Sequence, residues 1–294
     1  MGVWYETEPC DNWDDFLRKV GALPRNVFYR GHSDGEQPLK SSFDRAVEVS
    51  QPLVRDRWLY ETALLREFRR RAHHYVPDAP AHDDLLEWLA LMRHWGAPTR
   101  LVDFTYSYYI AAYFAFSSLE CKPRAVWAID GEWLSYESER HRRELLGPTA
   151  AEIDLNDPEC FRRCFLDPDR KGGSYRSFVS AVSAERMNRR LTIQQGLFLC
   201  PGDIEQPFEE NLRSMVLKNS SQKAVVKFVI PHSTRKKALT ELKHMNISRA
   251  TLFPDLGGLA ESLNDRFELL FRDYDISEET LRKVVSPKRG ITSA

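Results

Sequence analysis

The sequence predicts an α+β fold, with helices flanking a sheet. Short apolar runs bounded by turn residues read as strands at Asn26 to Arg30, Leu101 to Phe104, Arg124 to Asp130, Leu197 to Cys200 and Ala224 to Ile230. Amphipathic stretches read as helices at 12–20, 53–76, 83–95 and 236–245. The third observation is a change of period within one stretch, His94 to Phe116, which turns at Gly96-Ala97-Pro98, runs on as a short strand and becomes a buried helix after Thr105.

In chain order, Asn12 caps the first helix, which places Trp13, Phe16, Leu17 and Val20 on one face and stops at Gly21 and Pro24. The next strand ends at Arg30 before a Gly31 turn, so its guanidinium is expected at a sheet end. There it is either a fork for phosphate or carboxylate, or a structural Arg holding loop carbonyls or a buried Asp. Pro38 to Arg45 reads as a turn into a connector. The helix over 53–76 closes on Arg66 to His74, the most basic patch in the chain; it is a solvated helix face or a nucleic-acid contact. The helix over 83–95 delivers His94 to the Gly96 turn, as a site donor or as a core histidine capping a carbonyl.

Asp103, Thr105 and Ser107 are expected at the head of the Ala-rich helix, where a polar side chain caps backbone donors and the dipole favours an anion. Asp103 or Thr105 is therefore either an N-cap or a site group. Beyond Arg124 to Asp130, residues 133–170 are rich in charge and proline and read as an insertion or a lid carrying one or two short helices. Lys171 to Tyr175 reads as a flexible turn whose Gly pair lacks the spacing of a phosphate loop. Gln194-Gln195-Gly196 then precedes an apolar strand, offering two amides to a planar ligand or simply turn chemistry.

The chain has 294 residues, 42% hydrophobic and 12% aromatic, enough for a large core. A formal net charge of -1 gives no global pull toward nucleic acid, so any anion site is local. No apolar run approaches the roughly 18 residues of a membrane span, and five scattered cysteines favour a reducing cytoplasm, with Cys160 and Cys164 as buried packing residues. Eight scattered histidines with no HExxH or Asp cluster give no metal site. The oligomeric state is not legible.

Several of these blocks together resemble the FRG domain family. They are Phe28-Tyr29-Arg30-Gly31-His32-Ser33 and His94 to Thr105 running into Ala111, Ala112, Phe114 and Ala115, with further likeness at Arg190 to Phe198 and Leu252 to Leu256. The resemblance implies a single domain over 1–294, with its core at about 25–130 and 175–260. It is distantly similar to the ADP-ribosyltransferase fold, which implies a split β-sheet core flanked by helices and a nucleotide, NAD, as co-substrate. Carried over, Arg30 with Gly31 clamps the NAD phosphates, and His94, Thr99, Arg100, Asp103 and Thr105 belong to the pocket. Gln195 falls near the catalytic acid. An amide cannot offset developing positive charge as a carboxylate does, so either Asp103 supplies it from another wall or the chain is a binder. The implied activity is an ADP-ribosyltransferase or NAD glycohydrolase of bacterial toxin or antiphage defence, with a protein or nucleic acid as acceptor. The alternative is a non-catalytic nucleotide- or nucleic-acid-binding module of a larger assembly.

Overall fold

The computed structural model describes residues 4–51, 56–147, 154–155, 157–166, 176–184, 189–218 and 222–271. The Lys171 to Tyr175 turn lies outside the described residues. Among the described residues seven strands form one sheet: β1 (Glu6–Pro9), β2 (Val27–His32), β3 (Val102–Thr105), β4 (Arg124–Asp130), β5 (Val179–Val182), β6 (Gly196–Pro201) and β7 (Val225–Ile230). Their order is β1-β7-β4-β2-β3-β6-β5, and every neighbouring pair is antiparallel except β1 with β7.

The sheet is an α+β core flanked by helices, and it opens at one seam. β2 pairs with β4 over six residues, and β3 pairs with β6 over four. β2 and β3 share a single register pair, Tyr29 with Thr105, and then diverge. Backbone groups left without a ladder partner need another one. At the seam the Arg30 Nη1 donates to the Asp103 carbonyl at 2.6 Å, replacing a strand-to-strand bond with a side chain.

Alternation along the strands sends successive side chains to opposite faces. Val27, Tyr29, Val126 and Ala128 pack against α1 (Trp13–Val20) and α5 (Tyr108–Phe116) in one apolar cluster. Phe28, Trp127 and Ile129 face the other cluster, with α4 (Leu85–His94) and α9 (Phe208–Lys218). Gly31 lies under α5 at a separation no side chain fits, since a Cβ there would sit 1.9 Å from the Ala111 carbonyl oxygen.

Several segments differ from the sequence expectation. Pro38 to Arg45 is not a plain connector, because α2 (Ser42–Ser50) starts inside it, held by a capping box between Ser41 and Asp44. Residues 131–146 form α6 (Gly131–Leu146), capped by Asp130 directly after β4. The buried Ser138 hydroxyl of α6 bonds Ser180 on β5 at 2.5 Å, so this part of the expected insertion packs on the sheet. Beyond it, α7 (Pro158–Phe161) brings the buried Cys160 and Phe161 into the core, and Cys164 is buried just after it. α3 (Arg57–Ala72), α8 (Arg189–Ile193), α10 (Arg235–His244), α11 (Arg249–Leu252) and α12 (Leu256–Phe271) are the other α-helices of the described residues. Among the described residues no helix is long and apolar enough to cross a membrane.

Candidate functional site

The divergence of β2 from β3 leaves a cleft of about 530 Å³ at the seam. Its floor is Arg30 and His32 of β2 and Asp103 and Thr105 of β3. Its walls are Lys40 and α2 on one side, Arg93 of α4 behind, and Phe114 of α5 with Arg190 and Gln194 of α8 opposite. Among the described residues five cationic side chains, Arg30, Lys40, Arg45, Arg93 and Arg190, face two carboxylates, Asp103 and Glu48. Lys40 is paired with Glu48 at 2.6 Å on the rim. Neither Arg45 nor Arg190 has an ion pair among the described residues; Arg45 donates to the Lys40 carbonyl, and Arg190 lies over the Phe253 ring at 4.3 Å.

The centre is a chain of contacts. Arg93 donates to Asp103 Oδ2 through Nε at 2.8 Å and also through Nη2. Arg30 Nη1 stands 3.8 Å from the same oxygen while bonding the Asp103 carbonyl. Asp103 Oδ1 makes no hydrogen bond among the described residues, and this side chain is 41% exposed, so one carboxylate oxygen is open to the cleft. Arg30 Nε donates to His32 Nε2 at 3.2 Å, and the other ring nitrogen, Nδ1, lies 3.3 Å from the Gln37 carbonyl. These partners fix the tautomer: Nε2 accepts, so Nδ1 carries the proton.

Burial draws the Arg30 guanidinium down to about 10, with Asp103 opposing and Arg93 and Arg45 adding to the fall. It remains cationic at neutral pH. Burial and the Arg30 charge push His32 down to about 3, so the ring is neutral. Burial pushes the Asp103 carboxyl up, but the charge and hydrogen bond of Arg93, followed by Arg30, outweigh it and hold the group below the usual carboxylate range. Desolvation and the nearby Arg93 lower Arg45, and desolvation chiefly lowers Arg190.

Of the residues singled out in the sequence, Arg30, Gly31, Asp103 and Thr105 line this cleft. Arg30 does not end its strand, because β2 continues through Gly31 and His32. Asp103 is not at the helix head either: it sits on β3, Ser107 caps α5, and the arginines rather than the dipole hold Asp103 ionised. Thr105 donates to the Gln194 carbonyl at 2.7 Å and accepts from the Ser107 N–H. His94 is half-buried outside the lining, its ring edge-on to Trp95. Thr99 is fully buried, its backbone tied to Ser42. Arg100 is 1% exposed and forked onto Glu61, with Nη1 on the Phe165 carbonyl, so its guanidinium is spent in the core. Gln195 is exposed in the left-handed region at φ 45 and accepts the Tyr106 N–H, a turn role, while its neighbour Gln194 lines the cleft.

The residues that sequence reading missed are Lys40, Arg45 and Arg93. Arg93 adjoins the HWGAPTR block, one residue before His94, and its helical position aims it back at β3; Lys40 and Arg45 fall in a stretch whose sequence reads as a turn into a connector. Among the described residues no group of three or more His, Cys, Asp or Glu side chains is placed to hold a metal ion.

The FRG domain family profile matches residues 25–123, from just before β2 to the start of β4. That stretch supplies the floor and most of the cationic side chains, while Arg190 and Gln194 come from beyond it. No curated protein and no solved structure matches the chain.

Proposed function

Because this chain carries an FRG domain at residues 25–123, and that domain builds the floor of the cleft, we propose that the cleft binds NAD and that the protein is an ADP-ribosyltransferase or NAD glycohydrolase. The observation that carries the reading is Asp103: one carboxylate with an open oxygen, set among cations in a pocket of nucleotide size. A diphosphate is an anion that Arg30, Arg93 and Arg45 suit, and Arg30 is preorganised by His32 and the Asp103 carbonyl. Phe114, edge-on to the Phe253 ring that Arg190 lies over, offers a surface for a planar ring.

NAD supplies the bond between nicotinamide and ribose. When it breaks, the electron pair leaves with a neutral nicotinamide and positive charge develops at the ribose. Asp103, ionised and fixed, offsets that charge from the β3 wall, the part that Gln195 cannot play. Its low pKa makes it an electrostatic stabiliser and a poor general base. Water or an acceptor hydroxyl then bonds to the ribose carbon and releases its proton to solvent. The toxin or antiphage setting belongs to this proposal through the family resemblance.

A second reading is a non-catalytic nucleotide-binding module. It is favoured by the hold of Arg93 on Asp103, which tempers the negative charge that catalysis would use. Incubation with NAD, following nicotinamide release and heat stability, separates the two. Release that falls by about 10²-fold or more in Asp103→Asn supports the enzyme. Stabilisation without release supports the module, and neither effect removes both.

A further inference from the structure

The arginine run that closes α3 takes no part in the cleft, yet it borders a second, more open cavity of about 840 Å³. Arg66, Arg69 and Arg70 of α3 and Arg162 from after α7 line it together with Trp58, and among the described residues no Asp or Glu lines it. The four arginines are not equivalent. Arg69 is built into the shelf, with Nη2 donating to the His82 carbonyl at 2.7 Å and its guanidinium 5.5 Å from the Trp88 ring. Arg70 stands 3.9 Å from Glu67, and Arg162 pairs with Glu159. Arg66 is exposed and has no ion pair among the described residues.

Immediately past the end of α3 comes a row of exposed rings. His73 and His74 lie 3.9 Å apart, His74 meets Tyr75 edge-on, and Tyr75 is 81% exposed. An exposed ring that packs against no core beside a cationic shelf has the chemistry of a base-stacking platform next to a phosphate track.

We propose that this shelf is a docking site for single-stranded nucleic acid, separate from the cleft and independent of what the cleft binds. A small anion would need donors converging on one buried point, whereas these heads are spread along an open surface. A duplex keeps its bases stacked inside and leaves the His73–Tyr75 rings without a partner. A strand uses both features, its phosphates along Arg66, Arg70 and Arg162 and its bases on the rings. α4 links the two sites: Trp88 lines the shelf and Arg93 the cleft, about 7–8 Å apart along the helix axis.

The test is fluorescence anisotropy of the full chain with a labelled oligothymidylate strand across a salt series. Expected is binding whose logarithm falls with log salt by about 0.7 for each phosphate neutralised. Arg66→Gln with Arg70→Gln, both exposed and outside the core, weakens binding at least about tenfold and flattens that slope by about 1.4. Tyr75→Ala weakens it about tenfold with the slope unchanged. Lys236→Gln with Lys243→Gln removes the same charge from the exposed face of α10 and leaves binding intact. The proposal is overturned by absence of binding at low salt, by unchanged affinity in the arginine variant, by an equal loss in the lysine control, or by tighter binding of the matching duplex.

Discussion

Arg93 and Asp103 stand ten residues apart in sequence and meet as a two-pronged pair, with Nε and Nη2 of the guanidinium both donating to one carboxylate oxygen. The turn between them, with Gly96 at φ 82, folds the end of α4 back over β3. The pair places the cleft carboxylate and leaves its second oxygen open.

Removing one side of that pair strands the other. Arg93→Met is expected to cost about 1–2 kcal/mol in urea denaturation at neutral pH, below the range for fully buried pairs because water reaches Asp103. The pair holds the Asp103 carboxyl below its ordinary range. Its contribution is therefore complete above the unfolded value of about 3.9 and is lost as pH falls through the folded value. The stability gap between wild type and variant should close below about pH 4; a gap that stays constant into acid would show that the pair is not the source.

Gly31 is required by contact rather than by backbone angle. An added Cβ meets the Ala111 carbonyl oxygen at 1.9 Å and the Ala115 nitrogen at 2.7 Å, and neither backbone atom can swing aside. Gly31→Ala should cost about 3 kcal/mol or more, or leave the chain unfolded, by prying α5 off β2. A Tm within a degree or two of wild type would mean that helix and strand separate easily, and the seam would then be soft.

Five of the seven strands, β2, β3, β4, β6 and β7, and the helices α1, α3, α4, α5 and α10 were legible because their signals are local; β1 and β5 did not read as strands. Arg124 to Asp130 and Val225 to Ile230 are runs of apolar residues between turns, and they form central strands. α2 was missed because its signal is two polar residues, Ser41 and Asp44, inside a stretch of mixed charge. The site was half legible. Arg30 and Asp103 fall on recognisable blocks, but whether two strands pair over one residue or six is a long-range property, and that difference makes the cleft. Arg100 shows the converse: it sits inside the most specific block, yet its partner, Glu61, comes from another helix and turns it inward.

The Arg100–Glu61 pair is fully buried, so its loss has a different signature. Arg100→Met alone leaves a carboxylate uncompensated in the core and should cost about 3–5 kcal/mol. Combining it with Glu61→Leu should recover most of that loss, since two apolar side chains replace two charges. Equilibrium denaturation of the four proteins gives the coupling. If the double variant is no better than Arg100→Met, the Arg100 contact to the Phe165 carbonyl carries the stability instead.

His32 ties the cleft to pH. Its Nε2 lone pair accepts from Arg30, and a proton there would set two donors against each other, which burial makes more costly. Its value of about 3 in the fold lies below the ordinary 6.5 of an unfolded histidine. Between those values the unfolded chain holds a proton that the folded chain does not. The resulting stability is complete above about pH 6.5 and is lost at about 1.4 kcal/mol per pH unit as the pH falls below it. His32→Gln keeps an acceptor for Arg30 and has no proton to bind, so its stability should decline less steeply by that amount between about pH 6 and 4.5. His94 and His232 are also lowered, chiefly by burial, but they titrate alike in both proteins and cancel in the comparison. Parallel curves across this range would mean that the ring takes up its proton in the folded state, and with it the hydrogen bond that aims Arg30 into the cleft would be lost.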